Sequence, residues 1–502
     1  MGGRVPLRLL PEPPNRAAIQ ELTTTMATSP TLRPRRFPIR LRPLGILATA
    51  VLVAATSVVV SHLGLGAHTT TPGNAATLPS RAPVVDGGAD GTAIELPGAG
   101  ALPPSGSLAI IDHNIGLWTT TLRKNPNDFL SATNLAILYH ARARLTADLA
   151  DHQRALEAAR TAMRIAPTQT TAAGLEAAIL YSLHDFHGAF AAADALVRAN
   201  PAELGALATR ADASIELGNL PAARADLKTL EAGAPGPAVD VRLARLAAVT
   251  GDLQGAVSLA RKARDAAAVD GSDPGFYEYA LAEYERNAGD AAAAEIGYRA
   301  ALAVRATDLG ALLGLARIQA FDGRIGEAIT SLQAATAIAP TPEAEGLLGD
   351  LLAMRAGSGD AAASETAYGT VRLTRTLSAL AGTVYDRTLI KFDLDHGPAS
   401  SALVGQARAG LADRSDAGAH DLLAWALHGA GQDAEAWSQI QAALTAGAAD
   451  GRTLYHAGAI AAARGDVATA RDILDRALAL GPALDPLERA NAARIRSSLS
   501  GA

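Results

Sequence analysis

A turn that recurs about every 34 residues is the feature that most constrains how this chain folds. In the stretch ELGNLPAARADL, a helix-like run ends at Gly218, Asn219 follows it, and Ala223 lies five residues after the glycine. Glycine ends a helix at low cost because it adopts the left-handed backbone conformation freely. Equivalent positions, spaced 33 to 38 residues apart, are Ala150, His184, Gly218, Gly251, Gly289, Gly323, Gly359, Gly397, Gly431 and Gly465. The spacing predicts ten consecutive helix–turn–helix units.

Small residues flank these turns at fixed distances. Five residues after the turn, nine of the ten units carry alanine: Ala155, Ala189, Ala223, Ala256, Ala294, Ala328, Ala402, Ala436 and Ala470. Seven residues before it, eight units carry a small residue: Ala143, Ala177, Ala211, Ala244, Ala282, Ala316, Ala424 and Gly458. A larger side chain at a helix crossing would force the two backbones apart. We therefore expect these residues to lie where the paired helices cross.

This spacing resembles the tetratricopeptide repeat (TPR) family, in its membrane-anchored bacterial type, over about residues 129–482. The sequence differs from the family at early aromatic sites, where Ala173, Leu207, Leu312, Leu348 and Leu454 stand. The resemblance implies an all-α, right-handed α-solenoid of about ten TPR-like units over residues 108–482. The tail DPLERANAARIRSSL predicts a capping helix within 483–502, as stacked repeats require.

The first hundred residues have a different character. Eight arginines lie in residues 1–43, and residues 43–67 then contain no charged side chain. A transmembrane or signal-anchor helix over 44–66 is predicted, with residues 1–43 in the cytoplasm and the repeats outside it. Met26 is an alternative start, which would leave 1–25 untranslated. Residues 67–107, rich in Pro, Gly, Thr and Ala, predict a disordered linker. The alternative is a chain secreted after signal cleavage.

The charge and the missing motifs argue against several classes of function. The net charge is −6, and the basic leader leaves the remainder at about −12, which argues against a nucleic-acid partner. There is no cysteine, no phosphate-binding GxxxxGK[ST] run, no HExxH and no GxSxG. We therefore predict neither an enzyme nor a cofactor. An enzyme with an unrecognised site in the repeats stays an alternative, and a metal at Asp393, Asp395 and His396 stays open.

Binding of a protein or peptide partner is the favoured function. In the register of the family, residues six and ten before the turn face the concave groove. Those that carry aromatic or charged side chains, the types that anchor interfaces, are Arg245, Tyr279, Glu283, Arg317, Lys391, Trp425 and Tyr455. We expect these residues to contribute little to the stability of the stack. The predicted function is a membrane-anchored scaffold, and the alternative is a secreted or periplasmic adaptor in cell-envelope assembly.

Overall fold

The computed structural model describes residues 108–499 except 147, 271, 381–386 and 399. The predicted cytoplasmic leader, membrane helix and linker, residues 1–107, lie outside the described residues, so these boundaries stay predictions. Within the described part, no helix combines the length and the apolar character needed to cross a membrane.

The described residues form 22 α-helices and one 3-10 turn, and none of them lies in a strand. The first eleven helices are α1 Leu108–Lys124, α2 Phe129–Thr146, α3 Leu149–Ile165, α4 Thr170–Ser182, α5 Phe186–Ala199, α6 Leu204–Glu216, α7 Leu220–Gly233, α8 Pro237–Val249, α9 Leu253–Asp270, α10 Pro274–Asn287 and α11 Ala291–Val304. The others are α12 Leu309–Phe321, α13 Ile325–Ile338, α14 Pro342–Arg355, α15 Asp360–Leu380, α16 Arg387–His396, α17 Ser401–Asp413, α18 Ala417–Gly429, α19 Asp433–Thr445, α20 Gly451–Ala463, α21 Val467–Ala479 and α22 Pro486–Ser498, with the 3-10 turn at Gly481–Ala483.

These helices form ten antiparallel pairs, from α2/α3 to α20/α21, with α1 before them and α22 after them. The predicted all-α repeat array is thereby confirmed. The small residues lie at the crossings as expected, and Ala177, Ala211, Ala223 and Ala328 are completely inaccessible to solvent. The unit formed by α16 and α17 differs, because Ala402 is exposed there while Leu403 and Ala407 are buried instead.

The backbone confirms eight of the ten predicted turns and corrects the other two. Seven of the predicted glycines have a positive φ, as does His184, whose φ is 61°. Ala150 does not end a helix, because α3 already begins at Leu149. Gly397 follows α16 without a positive φ. In the unit before it, α14 ends on a left-handed Ala356, with φ 51°, three residues before Gly359.

Polar side chains fix where the second helices start. The Asn219 side chain accepts a hydrogen bond from the Ala222 amide, and Asp252, Asp290 and Asp466 cap their helices in the same way. Such caps satisfy amides that have no partner within the helix. Asp360 behaves differently: it lies inside α15 and accepts from the amide of Gly357, before the helix, while it pairs with Arg355.

Units of the array that are far apart in sequence contact each other along one line, which we call the seam. Turns within the pairs form one edge of the array, and the loops between consecutive pairs form the opposite edge. The Gly218 turn lies against the loop at Ser415, since a Cβ at Gly218 would stand 2.5 Å from the Ser415 carbonyl oxygen. In the next unit, a Cβ on Gly251 would stand 2.7 Å from the carbonyl oxygen of Gly447. Turns and loops about 200 residues apart therefore pack backbone against backbone.

Side chains extend the seam on both sides of these glycines. Arg414 lies over the Phe186 ring at 4.8 Å and also approaches the Glu216 carboxylate. At the other end, Arg489 lies 4.6 Å from the centre of the Phe321 ring and donates to the carbonyl oxygen of that residue. Early and middle units of the array are thus joined to its last units and to α22.

Replacement of Gly218 by alanine tests the seam. Any alanine at a positive φ is strained by about 1 kcal/mol or more, but at Gly218 the new methyl group also collides with Ser415. Gly323 is the matched control: its φ is 78°, against 76° at Gly218, and its Cβ would have no neighbour within 4 Å. We expect Gly218→Ala to lower the free energy of unfolding more than Gly323→Ala does. The measurements are denaturant unfolding and the radius of gyration in solution, which should increase only for Gly218→Ala. Equal losses and unchanged dimensions for both variants would show that the seam is absent in solution.

Candidate partner-binding surface

The seven predicted groove residues lie on the first helices of five pairs and of the irregular α16 unit. Two of them are buried and the other five are partly buried. They occupy α8, α10, α12, α16, α18 and α20. Tyr279 and Tyr455 are each only 4% exposed, and the Arg317 side chain is 11% exposed. Because the seam brings the C-terminal units over the middle of the array, helices far apart in sequence meet on this face.

Arg317 and Lys391 both pair with the start of α22. Arg317 donates from Nε to Asp485 at 2.8 Å and from Nη2 to Glu343 at 2.6 Å. The Lys391 ammonium lies 3.0 Å from Glu488 Oε1 and 2.9 Å from Asp395 Oδ2. Each cation therefore pairs with one carboxylate of the C-terminal segment, Asp485 or Glu488, and with one carboxylate of the repeats.

The neighbouring cations lower the pKa of the Asp485 carboxyl. Burial alone would raise the pKa of the Asp485 carboxyl, but Arg317, Lys391 and Arg286 outweigh burial and hold it well below its usual range. Asp485 also accepts at the beginning of α22 in a capping box, in which Glu488 accepts from the Asp485 amide. Asp485 is therefore ionised at neutral pH, and hydrogen bonds fix the first turn of α22.

Tyr279 and Glu283 form a second group on α10. Glu283 accepts from the Tyr298 hydroxyl and pairs with Arg286 at 3.1 Å. The rings of Tyr279 and Tyr298 are 6.3 Å apart, and burial raises the pKa of both hydroxyls. Arg286 donates in addition to the carbonyl oxygens of Pro482 and Ala483, at 3.3 and 3.4 Å. This group therefore also contacts the C-terminal segment.

Trp425 and Tyr455 form an aromatic group beside Lys391. The Trp425 indole donates to Asp395 at 3.1 Å and stacks on His456, with ring centres 4.1 Å apart. His456 is itself held by Asp421 at 2.8 Å. The ring centres of Tyr455 and Trp425 are 5.4 Å apart. These contacts fix the aromatic rings within the stack.

Arg245 lies in a separate group. Its guanidinium donates to the Tyr181 hydroxyl at 2.6 Å and pairs with Glu216. Glu216 also faces Arg414 across the seam at 3.5 Å. The structure therefore links Arg245 to the seam rather than to the residues that contact α22.

The structure gives each of these residues partners within the array, and the expectation that they contribute little to the stability of the stack stays a prediction. They are buried or partly buried in ion pairs, hydrogen bonds and ring contacts, and removal of one member of a buried ion pair leaves the other charge uncompensated. Their assignment to partner binding stays a prediction. The inference from the sequence missed Arg286, Glu343, Asp485 and Glu488. The DPLE stretch signalled a helix start, but no local pattern indicated that its carboxylates reach the repeats.

Asp393, Asp395 and His396 do not converge. Asp393 pairs with Arg375 at 2.8 Å, and Asp395 pairs with Lys391. His396 contacts Asp350 at 2.7 Å from Nε2 and the Phe392 carbonyl oxygen from Nδ1. Among the described residues, no three His, Asp or Glu side chains are grouped as metal ligands.

The array is TPR-like. No model of a known protein family matches the chain, and no curated protein sequence matches it. Among solved structures, it is similar to TTC0263, a thermophilic TPR protein of Thermus thermophilus, at 20% identity and a TM-score of 0.34, over 38% of this chain and 98% of that one. It is also similar to PilW, a type IV pilus biogenesis factor, at 16% identity and a TM-score of 0.32, over 44% of this chain and 96% of that one. At these scores the two structures carry no argument about function, and the TPR-like assignment depends on the helix pairs themselves.

One carboxylate near this surface has no compensating partner. Glu345, on α14, is 9% exposed, and no described residue donates a hydrogen bond to its carboxylate. Burial raises the pKa of Glu345 from 4.5 to about 7. The side chain is therefore neutral in the folded protein at pH 5 and becomes a buried charge as the pH passes 7.

This shift predicts a pH dependence of stability. Between pH 4.5 and 7 the folded state binds the proton more tightly than the unfolded state, so stability falls as the pH rises through this range. Glu345→Gln removes the titration. We expect the variant to match the wild type at pH 5 and to be more stable at pH 8 by about 2 kcal/mol. Urea unfolding at the two pH values measures the difference, and the control is Glu365→Gln, whose side chain is 69% exposed. A pH-independent difference for Glu345→Gln would contradict the assigned pKa.

Proposed function

We propose that this protein is a membrane-anchored scaffold that binds a protein partner through the first-helix face of its repeats. The observation that carries the proposal is that this face already holds a polypeptide segment. Arg286 contacts main-chain carbonyl groups of residues 482 and 483, and Arg317 and Lys391 contact acidic side chains of α22 and of the residue before it. Main-chain recognition combined with charged anchors is the chemistry by which a protein surface holds a peptide.

The location is also a proposal. The arginine-rich leader and the uncharged run at 44–66 support a single-pass anchor in the cytoplasmic membrane, with the repeats outside the cytoplasm. Signal cleavage would give a secreted or periplasmic adaptor with the same binding face. An enzyme with a site in the repeats remains the alternative of a different class.

Photo-crosslinking in the producing cells tests the binding face. Glu343 and Arg452 lie on the first-helix face and have accessible side chains, 35% and 44% exposed. With benzoylphenylalanine at either position, we expect covalent adducts of a partner protein, detected as a mass shift of the chain. The matched controls are Ile296 and Leu373, which are 71% and 54% exposed on second helices. Adducts from the control positions alone would place binding on the other face, and no adducts from any position would contradict the scaffold function.

Topology is tested separately with a reporter enzyme that is active only outside the cytoplasm. A fusion after Ser107 should be active and a fusion after Arg42 inactive, because the predicted anchor lies between these residues. The opposite pattern would overturn the location. The mass of the mature chain distinguishes the anchor from the secreted form, which would lack residues 1–66.

A further inference from the structure

The C-terminal segment, residues 481–499, is attached to the array in two different ways. Its ion pairs with Arg317 and Lys391 reach the first-helix face of units more than 90 residues earlier in the chain. Its contacts with its neighbour α21 are those of an ordinary terminal helix, such as the exposed pair between Arg496 and Asp475 at 2.8 Å. The first attachment is not needed to cover the end of a repeat stack.

Helix α22 itself buries few residues, whereas Gly481, Pro482 and Leu484 before it are buried. Of the thirteen residues of α22, three are buried, and one of these is Glu488. By comparison, α20 buries ten of its thirteen residues. Because stabilisation by burial scales with the apolar area removed from water, the body of α22 is held weakly, and the charged contacts add to the burial of Pro482, Leu484 and Pro486 at its start.

Each of three cations that contact this segment also has a carboxylate partner in the repeats, which it keeps when the segment leaves. Arg317 keeps Glu343 when Asp485 leaves, and Lys391 keeps Asp395 when Glu488 leaves. Arg286 likewise keeps Glu283 when the main-chain carbonyl groups leave. The loss of a sole partner is what makes rupture of a buried ion pair costly, and here none of these three cations has a sole partner.

We propose that residues 481–489 are an internal ligand of the first-helix face, and that a partner protein displaces them with an acidic helix start of its own. The partner carries two carboxylates three residues apart at the beginning of a helix, matching Asp485 and Glu488. This inference depends on the proposed function and names its ligand class. The charge complementarity of Arg317 and Lys391 toward these two carboxylates identifies the ligand as acidic.

The test uses the full chain and a fluorescent synthetic peptide with the sequence of residues 481–499 as the probe. In the variant Asp485→Asn/Glu488→Gln the internal ligand is weakened while its size is retained. We expect the probe to bind this variant at least about tenfold more tightly than the wild type, because a larger fraction of the face is free. Addition of Arg317→Gln to the variant should remove the gain, and a probe with Asn and Gln at the two acidic positions should not bind. Fluorescence anisotropy gives the affinities.

Asp475→Asn is the matched control, since it breaks the exposed pair with Arg496 on the same helix without touching the inner cations. It should leave probe binding at the wild-type level. Equal affinity of the probe for the wild type and for the double variant would overturn the internal ligand. Equal binding of the acidic and the neutral probe would overturn the ligand class. Dimerisation of the double variant through its C-terminal segment, seen by sedimentation, would overturn the choice of a separate partner.

Hydrogen exchange on the wild-type chain gives a second measurement if the double variant does not fold. Amides of 486–498 should exchange faster than those of 451–463, and excess acidic probe should accelerate them further. Unchanged exchange of 486–498 on addition of the probe would contradict displacement. Crosslinked adducts in cells combined with this negative result would leave the scaffold function standing and remove only the internal ligand.

Discussion

The close approach of two helices at a small residue is the constraint on which the rest of this structure depends. Ala211 and Ala223, which flank the Gly218 turn, are both fully buried, and a Cβ added to Gly458 would stand 2.6 Å from Leu474. Such crossings make each unit thin and bring the second helix of one pair against the next pair. The regular repetition of thin units curves the array until its two edges meet at the seam.

Thin units also limit the apolar core. Alanine buries little area, so the core is a series of separate clusters rather than one continuous body. Stabilisation therefore depends more on contacts between distant units. The seam at Gly218 and Gly251 supplies backbone packing, and the buried pairs of Arg317 and Lys391 supply charged contacts.

The parts of the structure that could be predicted from the sequence are those that depend on local pattern. Glycine and alanine at fixed spacing predicted the pairs, their crossings and most turns, because each depends on residues within one unit. Two helix ends were not predicted: the left-handed Ala356 ends α14 without a glycine, and Gly397 in the irregular α16 unit has no positive φ. The contacts of the groove residues with the C-terminal segment could not be predicted. They include that of Arg317 with Asp485, 168 residues apart, and leave no periodic signal.

The seam and the first-helix face are physically coupled, because one stretch of chain belongs to both. Gly481 lies against the Phe321 ring, where an added Cβ would stand 2.6 Å from the nearest ring carbon, and four residues later Asp485 pairs with Arg317 on the same helix as Phe321. Movement of this stretch away from Arg317 therefore also removes the packing at Phe321 and the contact of Arg489. A ligand that binds only when the stretch has moved favours the loss of these contacts by the difference in its affinity for the two states. On the proposal above, occupancy of the face and release of the Phe321 end of the seam are one equilibrium, whereas the packing at Gly218 and Gly251 involves other residues.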